Sequence, residues 1–79
     1  MSHYTGKYPT KVVSKNKGSK WQVKRWQRYL KWYGFEISVD GDFGKQTVGY
    51  TKKFQRKFNL KADGVVGKKT VAKAKGVTK

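Results

Sequence analysis

The stretch Asp40-Gly41-Asp42-Phe43-Gly44-Lys45-Gln46-Thr47-Val48 returns later in the chain as Asp63-Gly64-Val65-Val66-Gly67-Lys68-Lys69-Thr70-Val71. Both copies read D-G-x-Φ-G-x-x-T-V, where Φ is apolar. The echo extends upstream, because Trp26-Gln27-Arg28 precedes the first copy as Phe54-Gln55-Arg56 precedes the second. A loop-and-helix unit is therefore duplicated. The Asp can accept hydrogen bonds from the N–H groups of a tight turn, and the Gly beside it tolerates positive φ at no steric cost. Phe43 or Val66 then plugs the core. The second Gly stands where a helix begins, which puts the Thr three positions on into the first turn, where hydroxyls meet free N–H groups.

Working outward, three helices are predicted. The first runs from about Trp21 to Tyr33, with Ser19 as N-cap and Gly34 just past its end; Val23, Trp26, Leu30 and Tyr33 recur at spacings of three and four and form its apolar stripe. The second runs from about Lys45 to Phe58, with Val48, Thr51, Phe54 and Phe58 inward, and the third from about Lys68 to Lys75, burying Val71 and Ala74. The expected fold is all-α, a small three-helix bundle with two ordered Asp-Gly loops. Gln27 and Gln55 are expected to hydrogen-bond the loop backbones from inside the bundle, with Asp40 and Asp63 organising the turns. Residues 1–20 carry Gly6, Pro9, Gly18 and scattered Lys without periodicity, and read as a flexible basic arm adding little to the core, with a short extended piece at Lys11-Val12-Val13. Residues 21–79 form the domain.

Seventy-nine residues allow one domain with a modest core. There is no cysteine, so aromatic side chains must supply cohesion. The formal charge is +16, and all four acids (Glu36, Asp40, Asp42, Asp63) lie in or beside the motif loops, leaving the helices basic. Such a charge draws a protein to polyanions, among them teichoic acids, nucleic acid and anionic lipid headgroups. No apolar run is long enough to span a membrane, and the N-terminus lacks the apolar region of a secretory signal.

Short look-alikes fail on context. Asp42-Phe43-Gly44 spells a kinase D-F-G without a catalytic loop. Asp40-Gly41-Asp42 starts like an EF-hand, but its sixth position is Lys45 and its twelfth Thr51. Gly67-Lys68-Lys69-Thr70 lacks P-loop spacing. No base, nucleophile or metal constellation is visible, so neither a catalytic residue, a metal nor a cofactor is expected.

The ordered motifs carry a resemblance. Val23, Gln27, Leu30, Gly34, Asp40-Gly41, Phe43-Gly44, Thr47, Phe54-Gln55, Leu60, Asp63-Gly64, Val66-Gly67 and Thr70 match, in order, the pattern of the peptidoglycan-binding domain of the three-helix type, over Val23 to about Val77. The chain departs from it at Trp26 for the usual Leu, Tyr50 for a small residue, Asn59 for a Gly, and Lys45 and Lys68 where Pro is frequent. The resemblance implies a non-catalytic module that binds the bacterial cell wall and concentrates an attached lytic domain, such as that of a bacteriophage endolysin, on its substrate. The implied partners are peptidoglycan, with teichoic acids as further candidates, and a lytic domain or subunit; the implied location is the cell wall, or outside the cell after release.

A second stripe on helix one joins Trp21, Arg25, Arg28, Tyr29 and Trp32, and Tyr50 projects nearby from helix two. These six are the expected ligand-binding residues: aromatic rings stack on sugars or methyl groups, and guanidinium forks pair with carboxylates or phosphates. The competing structural reading has Trp21 stapling the helix start and the arm covering Trp32. The competing functional reading is a basic three-helix nucleic-acid-binding domain, supported by charge and aromatic–basic interleaving, but lacking helix-turn-helix spacing and carrying acids in its loops that DNA would repel. A general cationic activity at anionic membranes lacks a continuous free apolar helix face.

Overall fold

Ser19 closes the polar segment and opens the first helix. In the computed structural model, which describes residues 2–78, the Ser19 hydroxyl accepts from the Gln22 N–H at 3.4 Å. Helix α1 spans Lys20–Tyr33 and stops where Gly34 turns to φ 130°, with Gly34 and Phe35 N–H groups closing back on the Leu30 carbonyl in a Schellman-type end. Helix α2, Lys45–Lys57, ends the same way, except that Asn59 at φ 62° takes the left-handed position and Leu60 N–H reaches the Gln55 carbonyl at 2.8 Å. Asparagine tolerates that conformation better than any β-branched residue, so the departure from glycine costs the fold little. Helix α3 is Lys68–Lys75. Lys45 and Lys68 are first helical residues, where a free N–H needs no intrahelical partner, so a Lys can stand where Pro is frequent without breaking the helix. Met1 and Lys79, the ends of the expected arm and domain, lie outside the described residues.

The two Asp-Gly loops are organised by nearly identical circuits. In the first, the Gln27 carbonyl oxygen accepts from Asp40 N–H (3.1 Å) and Gly41 N–H (2.9 Å). Its amide nitrogen is shared among the Asp40 carboxylate (3.1 Å), the Asp42 carbonyl (2.9 Å) and the Thr47 hydroxyl (3.0 Å). In the second, Gln55 accepts from Gly64 N–H (3.0 Å) and faces the Asp63 carboxylate (3.2 Å), the Val65 carbonyl (2.9 Å) and the Thr70 hydroxyl (3.2 Å). Each Asp also accepts the N–H two residues on, at 2.9 Å. Those N–H bonds to Asp42 and Val65, above all, hold the Asp40 and Asp63 carboxyls below their ordinary value. Gly41 (φ 79°) and Gly64 (φ 73°) supply the left-handed turn. The threonines do not cap their helices; their hydroxyls receive the glutamine amide instead, which ties each helix start to helix or loop residues upstream.

Trp26, Tyr29, Leu30 and Phe54 are fully buried at the centre, with Val23, Ile37, Phe43, Val66, Ala74 and Val77 around them. Trp26 stacks on Tyr29 (5.2 Å between centroids), meets Phe54 edge-on (5.5 Å), and donates its indole N–H to the Thr51 hydroxyl at 2.9 Å. The polar end of the large ring is thereby satisfied inside the bundle.

The N-terminal arm departs from the sequence expectation. Val13 is wholly buried, Pro9 is buried, and Tyr4 and Tyr8 pack on the core. Val13 exchanges backbone hydrogen bonds with Val66 (3.1 and 2.7 Å), the Gln22 side-chain amide accepts from Thr10 N–H and donates to the Thr10 hydroxyl (both 2.8 Å), and His3 bridges to Thr78. The arm is a belt rather than a linker. Its sequence hides this because its apolar residues follow no helical or strand period: Tyr4 and Tyr8 both pack on Tyr29, whereas Val13 pairs with Val66. Among the described residues, no helix is long and apolar enough to cross a membrane.

Candidate functional site

Trp21, Arg25 and Arg28 stand four and three residues apart on one face of α1. Capping by Ser19 fixes where the helix starts and hence where that face points. Trp21 is 71% exposed, the largest exposure of any big apolar side chain among the described residues. Arg28 is exposed and Arg25 half-buried. The arm runs past this face, and Tyr4, Gly6 and Lys7 form the opposite wall of a cleft of about 310 Å³. No acidic side chain lines it. Burial pushes the Tyr4 phenol up, and the nearby Arg28 guanidinium pulls it partly back, so the two heads share the cleft.

Such an arrangement suits a small ligand with a flat apolar face and an anionic group. Trp21 offers an uncovered ring for stacking, and two guanidinium forks offer planar, bidentate donors. The volume matches one sugar ring or a short acyl or peptide group rather than an extended chain.

The other three expected residues fall elsewhere. Tyr29 is fully buried, its hydroxyl donating to the Ala74 carbonyl at 3.2 Å and its ring touching Tyr4 (5.3 Å), Trp26 and Phe54 (5.7 Å). It cannot meet a ligand. The expectation failed because helical spacing gives the angle between stripes but not the number of covered sides, and here the arm and the end of α3 close a second side of α1. The strong upward displacement of the Tyr29 phenol, mainly from burial, has the same origin. Trp32 is half-buried against Tyr4 (5.7 Å) and Tyr29 (5.6 Å), so the arm does cover it. Tyr50 is half-buried and stacked on Phe35 at 4.7 Å, with the Lys53 ammonium over it at 5.6 Å, outside the cleft.

Sequence reasoning missed Tyr4, Gly6 and Lys7. The signal available was compositional: two tyrosines and a proline within six residues are more apolar surface than a free linker carries. Among the described residues, no three His, Cys, Asp or Glu side chains group as metal ligands.

The sequence profile of the family described as "Putative peptidoglycan binding domain" matches residues 19–73. A peptidoglycan-binding protein from Clostridioides difficile, solved in complex with glutamine hydroxamate, is 36% identical; the match covers 85% of this chain and 42% of that one, at a TM-score of 0.77. The N-terminal domain of SleB is 35% identical, over 86% of this chain and 93% of that chain, at a TM-score of 0.76. The chain therefore spans less than half of the C. difficile protein but nearly all of the SleB domain. A search of curated protein sequences gives no match.

Proposed function

Since the chain belongs to the peptidoglycan-binding domain family, we propose that it is a non-catalytic module that holds the bacterial wall and brings an attached or associated lytic enzyme to it. The observation that carries this reading is the arm cleft, where an uncovered tryptophan stands beside Arg25, Arg28 and Lys7 with no acid among them. A second feature points to a polyanionic setting. None of the three helices has an acid in its first turn, and all three begin on lysine, against the helix dipole. Each such cation forgoes about 0.3–1 kcal/mol of available stability, a cost that makes sense where the basic surface has a use. Wall teichoic acid is the polyanion of the proposed location, so binding should divide into a charge-driven part and a cleft-driven part. The first raises local concentration; the second holds.

The test is sedimentation with insoluble peptidoglycan, before and after removal of teichoic acid, at low and high salt. A salt-resistant fraction should remain on stripped peptidoglycan, and Trp21→Ala or Arg25→Ala should each weaken it roughly tenfold, as loss of a binding hot spot does, at unchanged Tm. Complete release by salt would leave charge alone as the cause. A DNA gel shift at physiological salt, showing tighter retention than the wall does, would favour a nucleic-acid-binding role.

A further inference from the structure

Across the molecule's second repeat lies a larger groove, of about 860 Å³, between the end of α2 and helix α3. It shares no residue with the arm cleft. Tyr33, Phe58 and Leu60, all only half-buried, form its floor with Val77, and Lys57, Lys69 and Lys73 stand at its rim. No acidic side chain lines it. The Lys57 ammonium is 5.7 Å from the Tyr33 ring centroid, which places one cation directly over the apolar floor. Lys69 and Lys73 are one turn apart on α3, so their stems project along the same wall roughly 6 Å from each other at Cβ.

We propose that this groove binds a short acidic peptide whose carboxylates alternate with small apolar side chains. In an extended peptide, side chains two positions apart share a face at a spacing of roughly 6.5–7 Å, close to that of the α3 lysines. Lys57 on the opposite wall meets a carboxylate from the other side. The apolar floor decides between peptide and polyphosphate, because a phosphate polymer has nothing apolar to place on Tyr33, Phe58 and Leu60. It would leave that surface wet. The charge disfavours a second copy of the chain as occupant, since two molecules of +16 repel and their acids lie in or beside the motif loops. Lysine rather than arginine suits the role: a compact ammonium on a flexible stem tracks a carboxylate without demanding one planar geometry.

The experiment uses the full chain and the synthetic peptide Ala-Glu-Ala-Glu-Ala, with Ala-Gln-Ala-Gln-Ala, inorganic polyphosphate and a thymidine oligonucleotide as comparison probes. Binding is read by calorimetry and by methyl shifts in the NMR spectrum. The acidic peptide should move the Leu60, Ala72 and Val77 methyls, and the neutral peptide should not. The double variant Lys69→Gln/Lys73→Gln, at the surface and harmless to the core, should weaken the acidic peptide about tenfold, the sum expected of two exposed ion pairs. Lys31→Gln/Lys45→Gln removes equal charge away from the groove and should leave affinity within about twofold. The proposal is overturned if the two double variants lose affinity equally, if the neutral peptide shifts the floor as strongly, or if the floor methyls stay silent. It is equally overturned if polyphosphate or the oligonucleotide produces the same floor shifts. Because neither wall nor cleft enters the measurement, the groove and the wall-binding role stand or fall separately.

Discussion

The two Asp-Gly loops share one hydrogen-bond circuit and live in different surroundings. In both, a buried glutamine, an aspartate and a threonine tie a left-handed turn to the start of the next helix, with corresponding distances agreeing to about 0.2 Å. The first loop keeps Gly41 half-exposed under the Lys20 side chain and plugs the core with Phe43. In the second, Gly64 is buried beside Val48 and Lys52, and Val66 is locked by backbone exchange with Val13 of the arm. Duplication thus copied the internal wiring but not the neighbours. The first loop holds itself, whereas the second also depends on a segment far away in sequence.

That comparison can be broken at several points. The largest effect is expected at the equivalent positions Trp26 and Phe54, which both repeats need; alanine at either should cost about 3–5 kcal/mol by opening a core cavity. Urea unfolding measures it, and a small loss at one but not the other would show that the core is not shared. Next come the glutamines. Gln27→Ala and Gln55→Ala should each cost at least about 1–3 kcal/mol, because loop N–H and C=O groups lose their partners, with Gln27 the more costly since it accepts two N–H groups and not one. Equal losses would remove that asymmetry.

The arm dependence sharpens the contrast. Val13→Ala should cost about 2 kcal/mol for two buried methyl groups. More tellingly, it should speed amide exchange at Val66 while leaving Gly41 and Asp42 protected as before. Uniform loosening of both loops would erase the difference drawn here. The smallest effect is common to both loops. Asp40 and Asp63 are held below their ordinary value of 3.8, so their contribution is complete above that pH and disappears as pH falls through the lower folded values. Melting temperature should drop below about pH 4, and Asp40→Asn with Asp63→Asn should flatten that drop. Since both carboxylates are solvent-exposed, the change is modest.

Much of this molecule is written locally. The duplicated motif sets the turns, Ser19 and Gly34 bracket the first helix, and Gln27 and Gln55 stand at the same place before each copy of the motif, where their amides meet the loop that follows. These are effects of neighbours along the chain, where residue type and spacing already contain the geometry. Gln27, Gln55, Asp40 and Asp63 were legible for that reason, and so was the pattern of the family. Tertiary structure decided the rest. Whether Tyr29 faces water depends on what crosses α1, and periodicity carries no information about a covering strand from elsewhere. The arm itself has no period to read, because Tyr4 and Tyr8 meet Tyr29 while Val13 pairs with Val66 in the second loop, contacts that no regular spacing encodes. Only once the belt is closed do Trp21, Arg25 and Arg28 acquire a facing wall, and only once α3 docks beside α2 do three separate lysines come to rim one groove.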